Sequence, residues 1–108
     1  MAIVRAKFEP VREMAYSSIT TSFTQIGTAF AVTFSVVYVQ NLTNQIIDFS
    51  LSFAGTDVTF SLAPNGALST DMVTNSVQVS AGESVFCKYR SGSAPTKGFV
   101  QVSAITPA

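Results

Sequence analysis

The chain has no histidine and no tryptophan, a single cysteine, and only 11% charged residues, against about 25% in a typical globular domain. Without histidine there is no imidazole general base, no imidazole zinc ligand and no Ser-His-Asp relay. One cysteine, Cys87, excludes an intrachain disulfide, and its alternation with Val85 and Tyr89 marks it as a small buried hydrophobe, a reactive thiol being the minor reading. The longest nearly apolar run, Ala29 to Val39, is broken by Thr33 and Ser35 and falls short of the ~20 residues that cross a bilayer, so no membrane span is expected.

Charge is scarce and unevenly placed. Formal net charge is zero, with Arg5, Lys7 and Arg12 near the start and Lys88, Arg90 and Lys97 near the end. Only Asp48, Asp57, Asp71 and Glu83 supply acid between Met14 and Cys87. This is too sparse for the dense basic face that binds nucleic acid by displacing counterions from phosphates. The acids share no spacing that commits two of them to one catalytic site, and no calcium-loop pattern occurs, so they read as solvated loop acids. Residues 92–98, GSAPTKG, invert the Lys-Gly order of a phosphate loop and precede a strand pattern, which makes them a flexible hairpin loop. No enzyme activity, cofactor or small-molecule substrate is expected.

What the chain does have is alternation and hydroxyls. With 47% hydrophobic residues and so few charges, the surface must be built from Ser, Thr, Asn and Gln. A neutral exterior of that kind lacks like-charge repulsion and suits a homo-oligomer, a dimer before a trimer, or a part of a larger assembly. Ile47, Phe49, Leu51 and Phe53 alternate with Asp48, Ser50 and Ser52, the pattern of a strand with one buried face. Similar stretches occur at 18–26, 30–39, 58–62, 68–72, 77–79, 85–89 and 100–104, divided by turn residues such as Pro64-Asn65-Gly66 and Ser91-Gly92. Eight short strands predict an all-β fold, a two-sheet antiparallel β-sandwich of jelly-roll type, with an immunoglobulin-like strand order as the alternative. Residues 1–16 combine spaced apolar side chains with alternating charge and contain Pro10; they read as an N-terminal arm ahead of a sandwich at 17–108. Charges at positions 5, 7 and 9 stand where a secretory leader would be apolar, so synthesis in a cytoplasm is expected.

Asn41-Leu42-Thr43 forms a glycosylation sequon between two strand patterns. The stretch VQNLTNQIIDFSLSFAG, followed by FSLAPNGALSTDMVTNS, VSAGESVFCKYR and APTKGFVQVSAI, resembles small β-sandwich virion proteins of tailed bacteriophages over residues 26–105. Within that group it is most similar to the capsid decoration, or cement and staple, proteins of short-tailed phages. The resemblance implies a protein made in the host bacterial cytoplasm that sits on the outer capsid surface, binds the major capsid protein and links neighbouring subunits. It further implies an arm lying across the shell, which suits Ile3, Arg5, Lys7, Phe8 and Arg12 as partner-binding residues, with Lys88, Arg90 and Lys97 as lesser candidates. Removing residues 2–12 should then leave a folded domain. The alternative is a receptor- or glycan-binding module of a tail fibre or spike, for which Tyr16, Tyr38 and Tyr89 supply the amphipathic rings. In a bacterial virus the sequon is chemically idle and is expected to be a corner, with Asn41 or Asn44 bonding nearby backbone.

Overall fold

The structure, a computed structural model, describes residues 6–8, 10–30, 36–52, 58–71 and 84–107. Among the described residues nine strands form: β1 (Ala6–Phe8), β2 (Arg12–Ala15), β3 (Thr24–Gln25), β4 (Val36–Asn41), β5 (Ile47–Ser52), β6 (Phe60–Leu62), β7 (Ala67–Asp71), β8 (Ser84–Tyr89) and β9 (Phe99–Pro107). One 3-10 turn, Tyr16–Ser18, follows β2.

One sheet runs β1-β9-β4-β7 with β2 also on β9, and the other runs β3-β8-β5-β6. All pairings are antiparallel, and they are nested: β2 with β9, β3 with β8, β4 with β7, and β5 with β6. A chain paired in this way is one long hairpin rolled up so that successive pairs fall alternately in the two sheets, which is the jelly-roll order.

Period-two alternation fills the space between the sheets. Val37 and Val39 of β4 and Val100, Val102 and Ala104 of β9 face Ile47 and Phe49 of β5 and Val85 and Cys87 of β8, all buried. Phe49 and Phe60 stack at 5.2 Å, and Met14, Leu62 and Tyr89 close the flanks. In β4 the smaller side chains take the core, while Tyr38 is 38% exposed on the outer face. Strand β3 occupies two residues of the longer stretch expected at 18–26. The stretch expected at 77–79 lies outside the described residues.

The expected arm is the main difference. Residues 6–8 and 12–15 both pair with β9, on the side away from β4, and so form one interrupted edge strand of the sandwich. Between Arg12↔Val102 and Phe8↔Ile105 the register shifts by one residue, as in a β-bulge, and Pro10 lies within the shift. A proline has no N–H to give a ladder, so an edge is the place for it. Cutting residues 2–12 would remove β1 and the first residue of β2, whereas cutting residues 2–5 leaves every described strand in place.

Candidate functional site

The β2–β3, β4–β5, β6–β7 and β8–β9 connections gather at one end of the sandwich, because Ala15, Asn41 and Ala67 all meet the start of β9 or its neighbour in register. Asn41 ties this end together. Its buried side chain accepts from the Thr43 N–H at 3.0 Å and the Thr43 hydroxyl at 2.7 Å through Oδ1. Its Nδ2 donates to the Gln45 carbonyl at 2.8 Å and the Leu62 carbonyl at 2.9 Å. Its backbone N–H bonds the Gly66 carbonyl at 2.9 Å, and its own carbonyl accepts from Asn65 N–H at 2.8 Å. Every polar atom of the amide is used. The sequon is therefore a buried corner whose nitrogen no sugar could reach, and the Asn41–Thr43 bond is the Asx turn expected there.

The neighbouring loops are held as firmly. Gly66 N–H returns to Ala63 O at 2.8 Å with Asn65 at φ +65°, the geometry of a type II turn with Pro64 at its second position. Asn44 clamps Thr96 twice, Nδ2 donating to Oγ1 at 2.8 Å and Oδ1 accepting from the Thr96 N–H at 2.9 Å. Leu42 N–H bonds Phe99 O and Tyr16 N–H bonds Gly98 O. The 92–98 segment, expected to be flexible, is thus pinned to the β4–β5 corner, and Pro95 is buried. At this fixed end Tyr16 is 39% and Ile46 38% exposed, and Lys97 is exposed as well.

The residues expected to bind a partner are dispersed. Ile3 and Arg5 lie outside the described residues. Lys7 and Phe8 are placed by backbone register opposite Thr106 and Ile105. Arg12 is engaged internally: Nε donates to Thr28 O at 2.8 Å, Nη1 to Pro10 O at 3.1 Å, and the guanidinium lies 4.5 Å over the Phe30 ring. It staples the edge strand to the chain that leads into β4, beside an open groove of about 440 Å³ lined by Pro10–Glu13 and Gly27–Ala29. Lys97 has no ion-pair partner among the described residues.

Lys88 and Arg90 meet on Asp48. Asp48 sits on the outer face of β5 yet is only 4% exposed, because Arg90 lies across it at 3.2 Å, Ser61 Oγ donates to it at 2.6 Å and Lys88 approaches to 4.0 Å. Lys88 Nζ also lies 5.3 Å from the Phe23 ring centre. Asp48 is thus not the solvated loop acid that its sequence context suggests: it belongs to a strand whose neighbours on both sides reach over it. Burial by itself would raise the carboxyl's pKa, but the bonds from Ser61 and Arg90 and the charges of Arg90 and Lys88 outweigh it and hold the value below the usual 3.8. A lowered folded value means that the pair's stabilisation is complete above the unfolded pKa and is lost as pH falls through the folded one. Asp48→Asn is therefore expected to cost about 1–2 kcal/mol at neutral pH, modest because Arg90 stays solvated, and to flatten the acid limb of thermal melting below pH ~4. Parallel melting-versus-pH curves for the two proteins would remove Asp48 from the acid response.

Cys87 is buried, its Sγ 3.7 Å from Met14 Sδ, and burial pushes its thiol up to about 12. Thiolate chemistry is closed to it at neutral pH. A scan against protein-family models and a search of curated proteins find no match to this chain.

Proposed function

We propose that the protein is a structural virion protein that binds the outer surface of a phage capsid and staples neighbouring major capsid subunits, acting as a homodimer. The observation that carries this reading is the cross-tied end of the sandwich. Four connections locked by side-chain and backbone bonds present Tyr16, Ile46 and Lys97 on a surface that loses little entropy when a partner covers it. Exposed apolar and aromatic side chains at the same end as an exposed cation are the composition of a protein-binding site. Ile3 and Arg5 stand ahead of β1 in sequence, and their contact with a second subunit makes two weak contacts act together at high effective concentration.

The test is co-sedimentation with shells of the same virus stripped of accessory proteins. Ile46→Asp combined with Lys97→Glu, and separately removal of residues 2–5, are each expected to raise the half-saturating concentration at least tenfold, about 1.4 kcal/mol, with unchanged melting of the free protein. Unchanged shell binding by both variants overturns the assignment. The part-exposed rings of Tyr16 and Tyr38 keep glycan binding as the alternative, which predicts saturable signal on a glycan array and none on shells.

A further inference from the structure

The two sheets have four edges, and three of them are guarded. In the second sheet β3 is two residues long and β6 three, too short to template another strand. In the first sheet the β1–β2 edge carries Pro10 and a register shift. The fourth edge, β7, has none of these devices. Its five residues, ALSTD, contain no proline, lysine or glycine, and they pair with β4 through five consecutive positions from Val36↔Asp71 to Gln40↔Ala67 without a bulge. Among the described residues no strand pairs its outer side. A regular, unguarded edge with one charge is a template for strand addition.

We infer that the β7 edge is where two copies of this chain join, β7 against β7 and antiparallel about a twofold axis at Ser69. This names the surface of the dimer in the reading above, but it is tested on the free protein, without shells. Charge selects both the occupant and the direction. A second copy brings no net repulsion, since the chain's formal charge is zero. In the antiparallel arrangement each Asp71 opposes Ala67 of the second copy, so the two Asp71 positions are four residues, about 14 Å, apart along the strands, beyond the screening length of roughly 10 Å. A parallel arrangement would set Asp71 beside Asp71. Joining at β7 makes the sheets of the two copies continuous and covers the longest regular edge that the described chain leaves open.

Directly opposed residues of an antiparallel pair have Cα atoms about 4.5–5.5 Å apart, a separation that a disulfide spans. Ser69→Cys under mild oxidation is therefore expected to give a covalent dimer, whereas Ser103→Cys, on the same outer face but in the interior strand β9, stays single. The native Cys87 is buried and does not compete. Independently, the wild-type chain is expected to sediment at twice its own mass. Ser69→Lys, which sets like charges across the axis on a face where the register partner Tyr38 is part exposed, should weaken that dimer at least tenfold without changing the melting of the monomer. A wild-type chain that sediments as a monomer overturns the inference, as does a dimer that Ser69→Lys leaves intact and Ser69→Cys fails to cross-link. Either result leaves shell binding to be judged by its own assay, and a failure on shells leaves the dimer standing.

Discussion

Replacing Asn41 by alanine is expected to lower the unfolding free energy by about 3–5 kcal/mol, a large part of the roughly 5–15 kcal/mol that holds a small domain together. The estimate follows from what the side chain leaves behind. Thr43 N–H, the Thr43 hydroxyl and the carbonyls of Gln45 and Leu62 all lose a partner, at about 1–3 kcal/mol for each that stays dry. Gln45 and Leu62 are only half-buried, so water recovers part of the loss. Asn41→Asp separates hydrogen bonding from shape. It keeps the size of Asn41 but aims a carboxylate oxygen at the two carbonyls to which Nδ2 donates. At neutral pH it should be at least as damaging as alanine. The buried acid's folded pKa is then raised above its unfolded value, so stability should return as pH falls and the acid, once protonated, can donate again. Chemical denaturation of the three proteins at pH 7 and pH 4 reads both effects. An alanine variant within about 1 kcal/mol of wild type would mean that the corner holds without its amide.

That corner was half legible in the sequence. The Asn-Leu-Thr-Asn run between two alternating stretches marks a turn, and Asn41 does bond as a turn residue. The second clamp was not legible, since Asn44 and Thr96 are 52 residues apart and nothing local pairs them. The strands with one strongly apolar face, β5, β8 and β9, show themselves by alternation, and their inward residues form the core. The first edge strand does not. An edge buries little, so Arg12 and Glu13 can flank Met14 without penalty, and Pro10 disguises the continuation of the strand as a break.

Asp48 is illegible for a related reason. Alternation places it correctly on the outer face, but its burial is created by Ser61 on β6 and by Arg90 just past β8, 13 and 42 residues away. The same pairing gives Lys88 and Arg90 an internal partner that charge alone does not reveal, as the bonds to Thr28 and Pro10 do for Arg12. Lys97 remains exposed, on a loop whose rigidity comes from Asn44 and Gly98.

Gly98 sets up the second large effect, and Gly92 is its control. Both have positive φ, +90° and +84°, and both lie in the β8–β9 connection. They differ in their surroundings. A Cβ on Gly92 would meet nothing within 4 Å, whereas one on Gly98 would collide with the backbone carbonyl of Leu42. Gly92→Ala therefore carries only the backbone penalty, about 1–2 kcal/mol. Gly98→Ala adds an overlap with main chain that no rotamer change relieves, for a total of about 3–5 kcal/mol. Moving the loop away would break the Leu42–Phe99 and Tyr16–Gly98 bonds and put the Asn44–Thr96 clamp under strain, so the carrier of Lys97 and Tyr16 would lose its fixed position. Gly98→Ala should then lose stability and shell binding together, Gly92→Ala should lose a little stability and no binding, and Ile46→Asp with Lys97→Glu should lose binding alone. Equal melting temperatures for the two glycine variants would show that the Leu42 carbonyl can give way, and that the pinned end of the sandwich is softer than its hydrogen bonds imply.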